Sequence, residues 1–315
     1  MDRFLSCDWG TSNFRLRLVN IVTREISFEF KSEEGIAEIY RQWQATGRPE
    51  EERIDFYRRK LKDSICRLSA DIGGNMPVII SGMASSSIGM MEMPYQEFPF
   101  SWDIAQFPIR VIKGDEKFSY PIYLVSGFRT EDDVMRGEES LLLGCDILDE
   151  DEKIFIFPGT HSKHVFIKNK MGIDFKTYMT GEIFKLLAEK SILHQSVQEG
   201  NDGKSFEEGF QTGIIGNILH GTFLVRTRQL LLHANQVSGY QFLSGLLIGT
   251  ELGQLKGINC AVYLVCGEHL KQAYLRGLEL MDIKKEIICL NADEMLLKSH
   301  CKIAGQLLNN NQYEK

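Results

Sequence analysis

Asp8-Trp9-Gly10-Thr11-Ser12-Asn13 is the first segment whose residue types and spacing could do chemistry. It lies between two apolar runs, so it reads as a hairpin tip. A glycine there lets the backbone approach a ligand and aims successive N–H groups at one point, while neighbouring hydroxyls add donors, which suits a phosphate. An acid at the end of a buried strand costs several kcal/mol unless compensated. Mg²⁺ needs only one or two carboxylates beside phosphate oxygens, so Asp8 alone would suffice for it. A single turn of this kind is also ordinary hairpin chemistry. The arrangement returns, however, at Ile154-Phe-Ile-Phe-Pro158-Gly159-Thr160-His161-Ser162-Lys163-His164-Val-Phe-Ile. Two such turns, each opening one half of the chain, are expected to grip opposite ends of one polyphosphate. Lys163 would offset charge developing in phosphoryl transfer, or would stand as a solvated strand lysine. His161 and His164, three apart on a strand, face opposite ways and have no Cys or acid nearby to complete a zinc tetrahedron. No Walker segment or strand–GxGxxG–helix is present, which argues against ordinary P-loop and Rossmann chemistry.

Positioning these turns requires strands near 3–9, 13–20 and 25–31, followed by an amphipathic helix near 50–71 built on Phe56, Leu61, Ile65 and Leu68. Pro77-Val-Ile-Ile-Ser-Gly82 and Ile122-Tyr-Leu-Val-Ser-Gly127 read as buried strands running into glycine. A helix near 137–146 precedes the acidic stretch Asp146–Lys153, which is the expected boundary between domains 1–148 and 149–315. Beyond it the pattern predicts the second strand pair, a third strand at Phe175–Met179 and helices near 180–192, 205–233 and 243–255. A strand at Ala261–Val265, a helix near 268–280, a strand at Glu286–Leu290, a last helix from Asp293 and a frayed polar tail at Asn309–Lys315 follow. Two copies of a βββαβα unit are therefore visible, which predicts two lobes and a cleft.

The composition is that of a folded protein, with 43% hydrophobic and 25% charged residues, and 315 residues exceed what one core usually holds. A formal charge of -7 with no basic block argues against nucleic acid as a partner. No run approaches the ~18–20 apolar residues a membrane span needs. The N-terminus meets an acid before an apolar region can develop and does not read as a signal peptide, so a cytoplasmic protein is expected. The seven cysteines form no CxxC pair and read as reduced thiols packed in a core.

Taken together, these segments resemble the 2-dehydro-3-deoxygalactonokinases, sugar-acid kinases of the acetate and sugar kinase/Hsc70/actin superfamily. The resemblance is carried by Asp8–Asn13, by Gly82-Met83-Ala84-Ser85-Ser86 continuing to Glu92-Met-Pro94-Tyr95, and by Asp133-Val-Met-Arg136-Gly137-Glu138-Glu139. It continues in Pro158–Lys163, Met179-Thr180-Gly181-Glu182 and Leu243-Ser-Gly-Leu-Leu-Ile-Gly249. The Met-Arg-Gly-Glu-Glu and Pro-Gly-Thr-His-Ser-Lys strings are specific, whereas Asp-x-Gly-Thr is shared across the superfamily. The last 60 or so residues match only in the spacing around Val265-Cys266-Gly267. Ala84-Ser85-Ser86-Ser87 stands where the family has an Ile-Gly-Ser-Arg type segment, so a basic residue expected beside the substrate is absent there.

The resemblance implies an α/β fold of two ribonuclease H-like (actin-like ATPase) lobes. It also implies ATP-dependent phosphorylation of a 2-keto-3-deoxy sugar acid, such as 2-dehydro-3-deoxy-galactonate, at its terminal hydroxyl, in D-galactonate catabolism. Asp8 would organise Mg²⁺. Gly10, Thr11, Ser12 and Asn13 would contact the phosphates with Gly159, Thr160, His161 and Ser162, and Gly267 would line the nucleoside pocket. The substrate would sit against Gly82, Met83, Ala84, Ser85, Pro94 and Tyr95, with Arg136 or Arg129 on its carboxylate; Arg129 reads equally as a surface arginine. Related kinases place an acid after a glycine at the start of the helix before the second turn, which here falls on Gly137-Glu138. Glu138 is therefore the first candidate for the catalytic base, followed by Asp133 and Glu139. The alternative for these acids is a helix N-terminus stabilised by its dipole, worth ~0.3–1 kcal/mol. Phe98, Phe100 and Trp102 form a hydrophobic wall, a homodimer contact or part of the core. The superfamily also includes chaperones, filaments and sensors. A chaperone's peptide-binding domain and a filament's insertions find no place in this sequence, which leaves a catalytically inactive sugar- or nucleotide-binding sensor as the alternative to a kinase.

Overall fold

The computed structural model describes residues 2–68, 72–73, 75–147 and 151–310, without the side chains of 308–310. Residues 1, 69–71, 74, 148–150 and 311–315 lie outside the described residues. On them fall the end of the expected 50–71 helix, part of the expected domain boundary and most of the polar tail. The chain divides into two compact units. One comprises Met1–Asp149, Lys170–Gly172 and Asp293–Lys315; the other comprises Glu150–Asn169 and Ile173–Ala292.

The first unit contains β1 (Arg3–Trp9), β2 (Phe14–Asn20), β3 (Ile26–Ser32), β4 (Val78–Gly82), β5 (Gln96–Glu97), β6 (Phe100–Ser101), β7 (Ile109–Ile112), β8 (Ile122–Val125), β9 (Phe128–Arg129) and β10 (Val134–Met135). Its main sheet runs β3-β2-β1-β4-β8-β7. β1 is central, antiparallel to β2 across the hairpin and parallel to β4, which runs parallel to β8. That position explains why Phe4, Leu5, Cys7 and Trp9 are all buried. Helices α1 (Ile36–Ala45) and α2 (Arg53–Leu68) bury Ile36, Ile39, Tyr57, Leu61 and Ile65 into the same core as Leu5, Val78 and Ile80. α1 is absent from the sequence expectation, because its stripe is only Ile36, Ile39 and Trp43. α3 (Glu138–Gly144) starts after β10. Phe98, Phe100 and Trp102 surround the fully buried Phe128, with ring centroids 5.8, 4.8 and 5.2 Å from it, so they are core packing.

The second unit repeats the plan. β11 (Lys153–Phe157), β12 (Ser162–Lys168), β13 (Met171–Tyr178, in this unit from Ile173 onward), β14 (Ala261–Cys266) and β15 (Ile287–Asn291) are ordered β15-β14-β11-β12-β13. β11 is antiparallel to β12 and parallel to β14, which is parallel to β15. Each unit thus has the ribonuclease H-like sheet expected of an actin-like ATPase lobe. Helices α4 (Thr180–Lys190), α5 (Gly203–Ile215), α6 (Ile218–Leu232), α7 (Gln236–Leu252) and α8 (Glu268–Leu280) accompany it. The single helix expected over 205–233 is two. Gly216 ends α5 in the left-handed region at φ 92°, and the Asn217 side chain caps α6 by accepting from the His220 N–H. α5 and α7 approach closely through glycines: a Cβ on Gly245 would lie 2.0 Å from the Phe206 carbonyl oxygen.

The last helix, α9 (Ala292–Asn310), packs from Asp293 onward with the first unit. His300 is fully buried, with Nδ1 2.8 Å from Ser6 Oγ and Nε2 3.1 Å from Ser81 Oγ. Burial and Arg17 pull its pKa to about 3, so a neutral ring meets two hydroxyls that can each donate or accept. The expected core placement holds for Cys7, Cys145, Cys266 and Cys301, but Cys66 and Cys289 are exposed. No described helix is long and apolar enough to cross a membrane.

Candidate functional site

The first turn is closed by Gly10 N donating to Asn13 O at 2.9 Å and held from behind by α1. Ile36 N donates to Gly10 O at 2.9 Å and Ala37 N to Thr11 O at 3.1 Å. Gly35 comes so near that a Cβ on it would lie 2.4 Å from Thr11 O. C=O and N–H of a trans peptide point opposite ways, so the Thr11 and Ser12 N–H groups are turned away from α1. Thr11, Ser12 and Asn13 are exposed there. The result is a preset row of donors suited to an anion.

Asp8 ends in the same place. Its Oδ2 accepts from Arg15 Nη2 at 3.1 Å, and Arg15 also grips Asp293 with both Nη atoms at 2.7 Å. Burial raises the Asp8 pKa and Arg15 opposes the rise, with a net upward direction, although 38% of the side chain still meets solvent. A carboxylate that is reachable yet poorly solvated gains from a divalent cation, so Asp8 fits Mg²⁺. Among the described residues no group of three or more His, Cys, Asp or Glu could hold a metal, and a cation here would complete its shell with phosphate and water oxygens.

The second turn uses the same device. Glu182 N, in the first turn of α4, donates to Thr160 O at 3.0 Å, and a Cβ on Gly181 would lie 2.5 Å from Gly159 O. The His161 N–H is thereby turned away from α4. His161 lies in the turn rather than on the strand, and its Nε2 pairs with Glu182 Oε2. Lys163 is only 5% exposed and its Nζ donates to His161 O at 2.8 Å, so the solvated-lysine alternative is corrected: the side chain folds back onto the turn. Gly267 leaves β14 and caps α8. β14 runs parallel to β11, which brings Gly267 out at the same sheet edge as Gly159.

Glu251, near the end of α7, escaped the sequence reading because it sits alone in an apolar run. It is buried and accepts from Ser162 Oγ at 2.6 Å, His164 Nε2 at 2.9 Å, Tyr274 Oη at 2.8 Å and Thr180 Oγ1. Burial raises its pKa, but the bonds from His164, Ser162 and Thr180 outweigh that and hold it below the usual glutamate range.

Back in the first unit, Gly82 ends β4 opposite Trp9 at φ 89°, and a Cβ there would lie 2.7 Å from Trp9 O. Gly137, at φ 113°, is 3.7 Å from the Gly82 Cα by the same measure, which brings Glu138 and the start of α3 to the ends of β1 and β4. Met83, Ala84 and Ser85 form the short turn after β4. Ser85 is fully buried and accepts from Arg136 Nη1, while the Arg136 guanidinium lies 4.4 Å from the Tyr95 ring centroid. The 84–87 segment carries no basic residue of its own; Arg53 Nη1, from α2, donates to Ser87 O at 3.0 Å. Glu139 lies inside, with Oε2 accepting from Gly137 N at 2.7 Å; burial and the Glu138 charge raise its pKa to about 8. Asp133 instead closes the turn joining β9 and β10, its Oδ1 accepting from Val134 N at 2.7 Å. Arg129 is an exposed arginine paired with Glu97.

Known proteins resemble this chain over most of its length. The chain matches the family model for 2-keto-3-deoxy-galactonokinase over residues 8–303, well past the segment that carries the motifs. It is 32% identical over 212 residues to the 2-dehydro-3-deoxygalactonokinase of Escherichia coli (strain K12), covering 65% of this chain and 71% of that one. A protein of Rhizobium meliloti (strain 1021) assigned the same name is 30% identical over 305 residues, covering 92% and 93% of the two chains. A crystal structure of a Sinorhizobium meliloti protein assigned as a 2-dehydro-3-deoxygalactonokinase superposes with a TM-score of 0.82 at 27% identity, covering 96% of this chain and 99% of the other.

Proposed function

Because this chain belongs to the 2-keto-3-deoxy-galactonokinase family and is therefore a sugar-acid kinase, we propose that it transfers the γ-phosphoryl group of ATP to the terminal hydroxyl of a 2-keto-3-deoxy sugar acid such as 2-dehydro-3-deoxy-galactonate. The observation that supports this most is the repeated turn, in each unit backed by a helix N-terminus that leaves its N–H groups outward. Such donors bind phosphate oxygens and need no reorganisation as charge builds. The reading assigns Mg²⁺ to Asp8, where the ion supplies charge neutralisation on the phosphates. Lys163 braces the second turn from within.

In the first unit Arg136 takes the substrate carboxylate. Its fork is well shaped for two carboxylate oxygens, and Ser85 and Tyr95 hold it in one orientation. Glu138 accepts the proton of the acceptor hydroxyl while that oxygen forms its bond to phosphorus and the bond to the bridging oxygen of ADP breaks. We place the reaction in the cytoplasm, which seven thiols outside any disulfide fit. The test is ADP release from MgATP across a panel of 2-keto-3-deoxy sugar acids. Release that depends on one of these acids supports the reading; binding without turnover would support the inactive sensor, for which the relatives, named as kinases, give no support.

A further inference from the structure

The geometry points to Glu251 as the positioning residue of the second phosphate turn, acting through Ser162 and Thr180 and without touching the nucleotide. The inference rests on the kinase reading only in taking that turn as a nucleotide site. An ionised carboxylate is solely an acceptor, and both oxygens of Glu251 are filled from inside: Ser162 and His164 on Oε1, Thr180 and Tyr274 on Oε2. Those donors come from β12, α4 and α8. An apolar side chain would pack this core at lower desolvation cost, whereas a carboxylate fixes directions.

Two of the four donors flank the turn. Ser162 closes it, and Thr180 opens the helix whose Gly181 and Glu182 hold the Gly159 and Thr160 carbonyls. The charge therefore pins the loop and its backing helix to one point. A consequence follows for Ser162. Its hydroxyl proton is committed to Glu251 and the residue is fully buried, so the side chain serves the nucleotide through Glu251.

The test is a double-mutant cycle on nucleotide affinity, read by calorimetric titration of a non-hydrolysable MgATP analogue. Glu251→Gln and Ser162→Ala are each expected to weaken binding about tenfold, and the double variant to bind no more weakly than Glu251→Gln alone, because one removes the charge and the other the hydroxyl of a single charge-assisted interaction. The KM for sugar acid, set by the first unit, should stay within about twofold in all three. Additive losses would mean that Ser162 contacts the phosphate itself and would overturn the inference, as would unchanged affinity in Glu251→Gln. Should Glu251→Gln fail to fold, Ser162→Ala and Thr180→Val replace it, since neither leaves a charge unpaired. Weakened binding in both upholds the inference, and wild-type binding in both overturns it. No heat with the wild-type enzyme would overturn the kinase reading and this inference together.

Discussion

The Arg136 guanidinium is stacked on the Tyr95 ring and tied to Ser85 at the same time, so a residue with many rotamers is held in one. A fixed fork loses little entropy on meeting a carboxylate, and a charge-assisted bond of this kind contributes about 1.5–3 kcal/mol. Arg136→Lys keeps the cation and loses the fork and much of the stacking. Steady-state kinetics should show the KM for sugar acid rising about 10–100-fold with the KM for MgATP nearly unchanged. Equal increases in both would contradict the assignment.

Glu138 is asked to remove a proton in the transition state and to do nothing for nucleotide binding. Glu138→Gln keeps size and shape, so kcat should fall about 10²–10⁴-fold while nucleotide affinity by calorimetry stays within about threefold. Retained turnover would return Glu138 to the role of a dipole-stabilised helix start.

Glu139 gives a pH signature of stability. Its carboxyl titrates at about 8 in the fold and at ~4.3 in an unfolded chain, so between those values the folded state holds the extra proton. Stability should therefore fall as pH rises through that window, by up to about 1.4 kcal/mol per pH unit from this group. Melting temperatures of the wild type at pH 6, 7 and 8 should decline more steeply than those of Glu139→Gln, whose amide does not titrate. Parallel slopes would show that Glu139 is ionised in the folded protein.

Much of this was legible in the sequence because it is local. The Gly-Thr turns, the strands around them and Gly82 and Gly137 are short-range patterns, and two turns of one type pointed to one chemistry. What escaped the sequence is what depends on distant partners. Ser6 and His300 are 294 positions apart and Arg15 and Asp293 are 278 apart, so no window could pair them. α1 carries too short an apolar stripe to announce itself, yet its N–H groups orient the first turn. Glu251 is one acid in an apolar run whose four donors are assembled only by the fold. The split of the 205–233 helix turned on Gly216, where a glycine tolerated inside a helix and one that ends it look alike in sequence.

The glycine behind the first turn offers a structural test. A methyl at Gly35 would stand 2.4 Å from Thr11 O and 2.4 Å from Ser12 C, both backbone, so the turn must move. Gly35→Ala should raise the KM for MgATP at least about tenfold and leave the KM for sugar acid within about threefold. An unchanged nucleotide KM would mean that the turn does not hold phosphate.

The most direct measurement is calorimetric titration of MgATP into the wild type and into Gly181→Ala, whose methyl would press within 2.5 Å of Gly159 O. Saturable binding by the wild type, weakened at least about tenfold in a variant that still melts cooperatively, is the expected result. Equal affinity in the two proteins would contradict a nucleotide held by that turn, and no heat in either would contradict the kinase assignment itself.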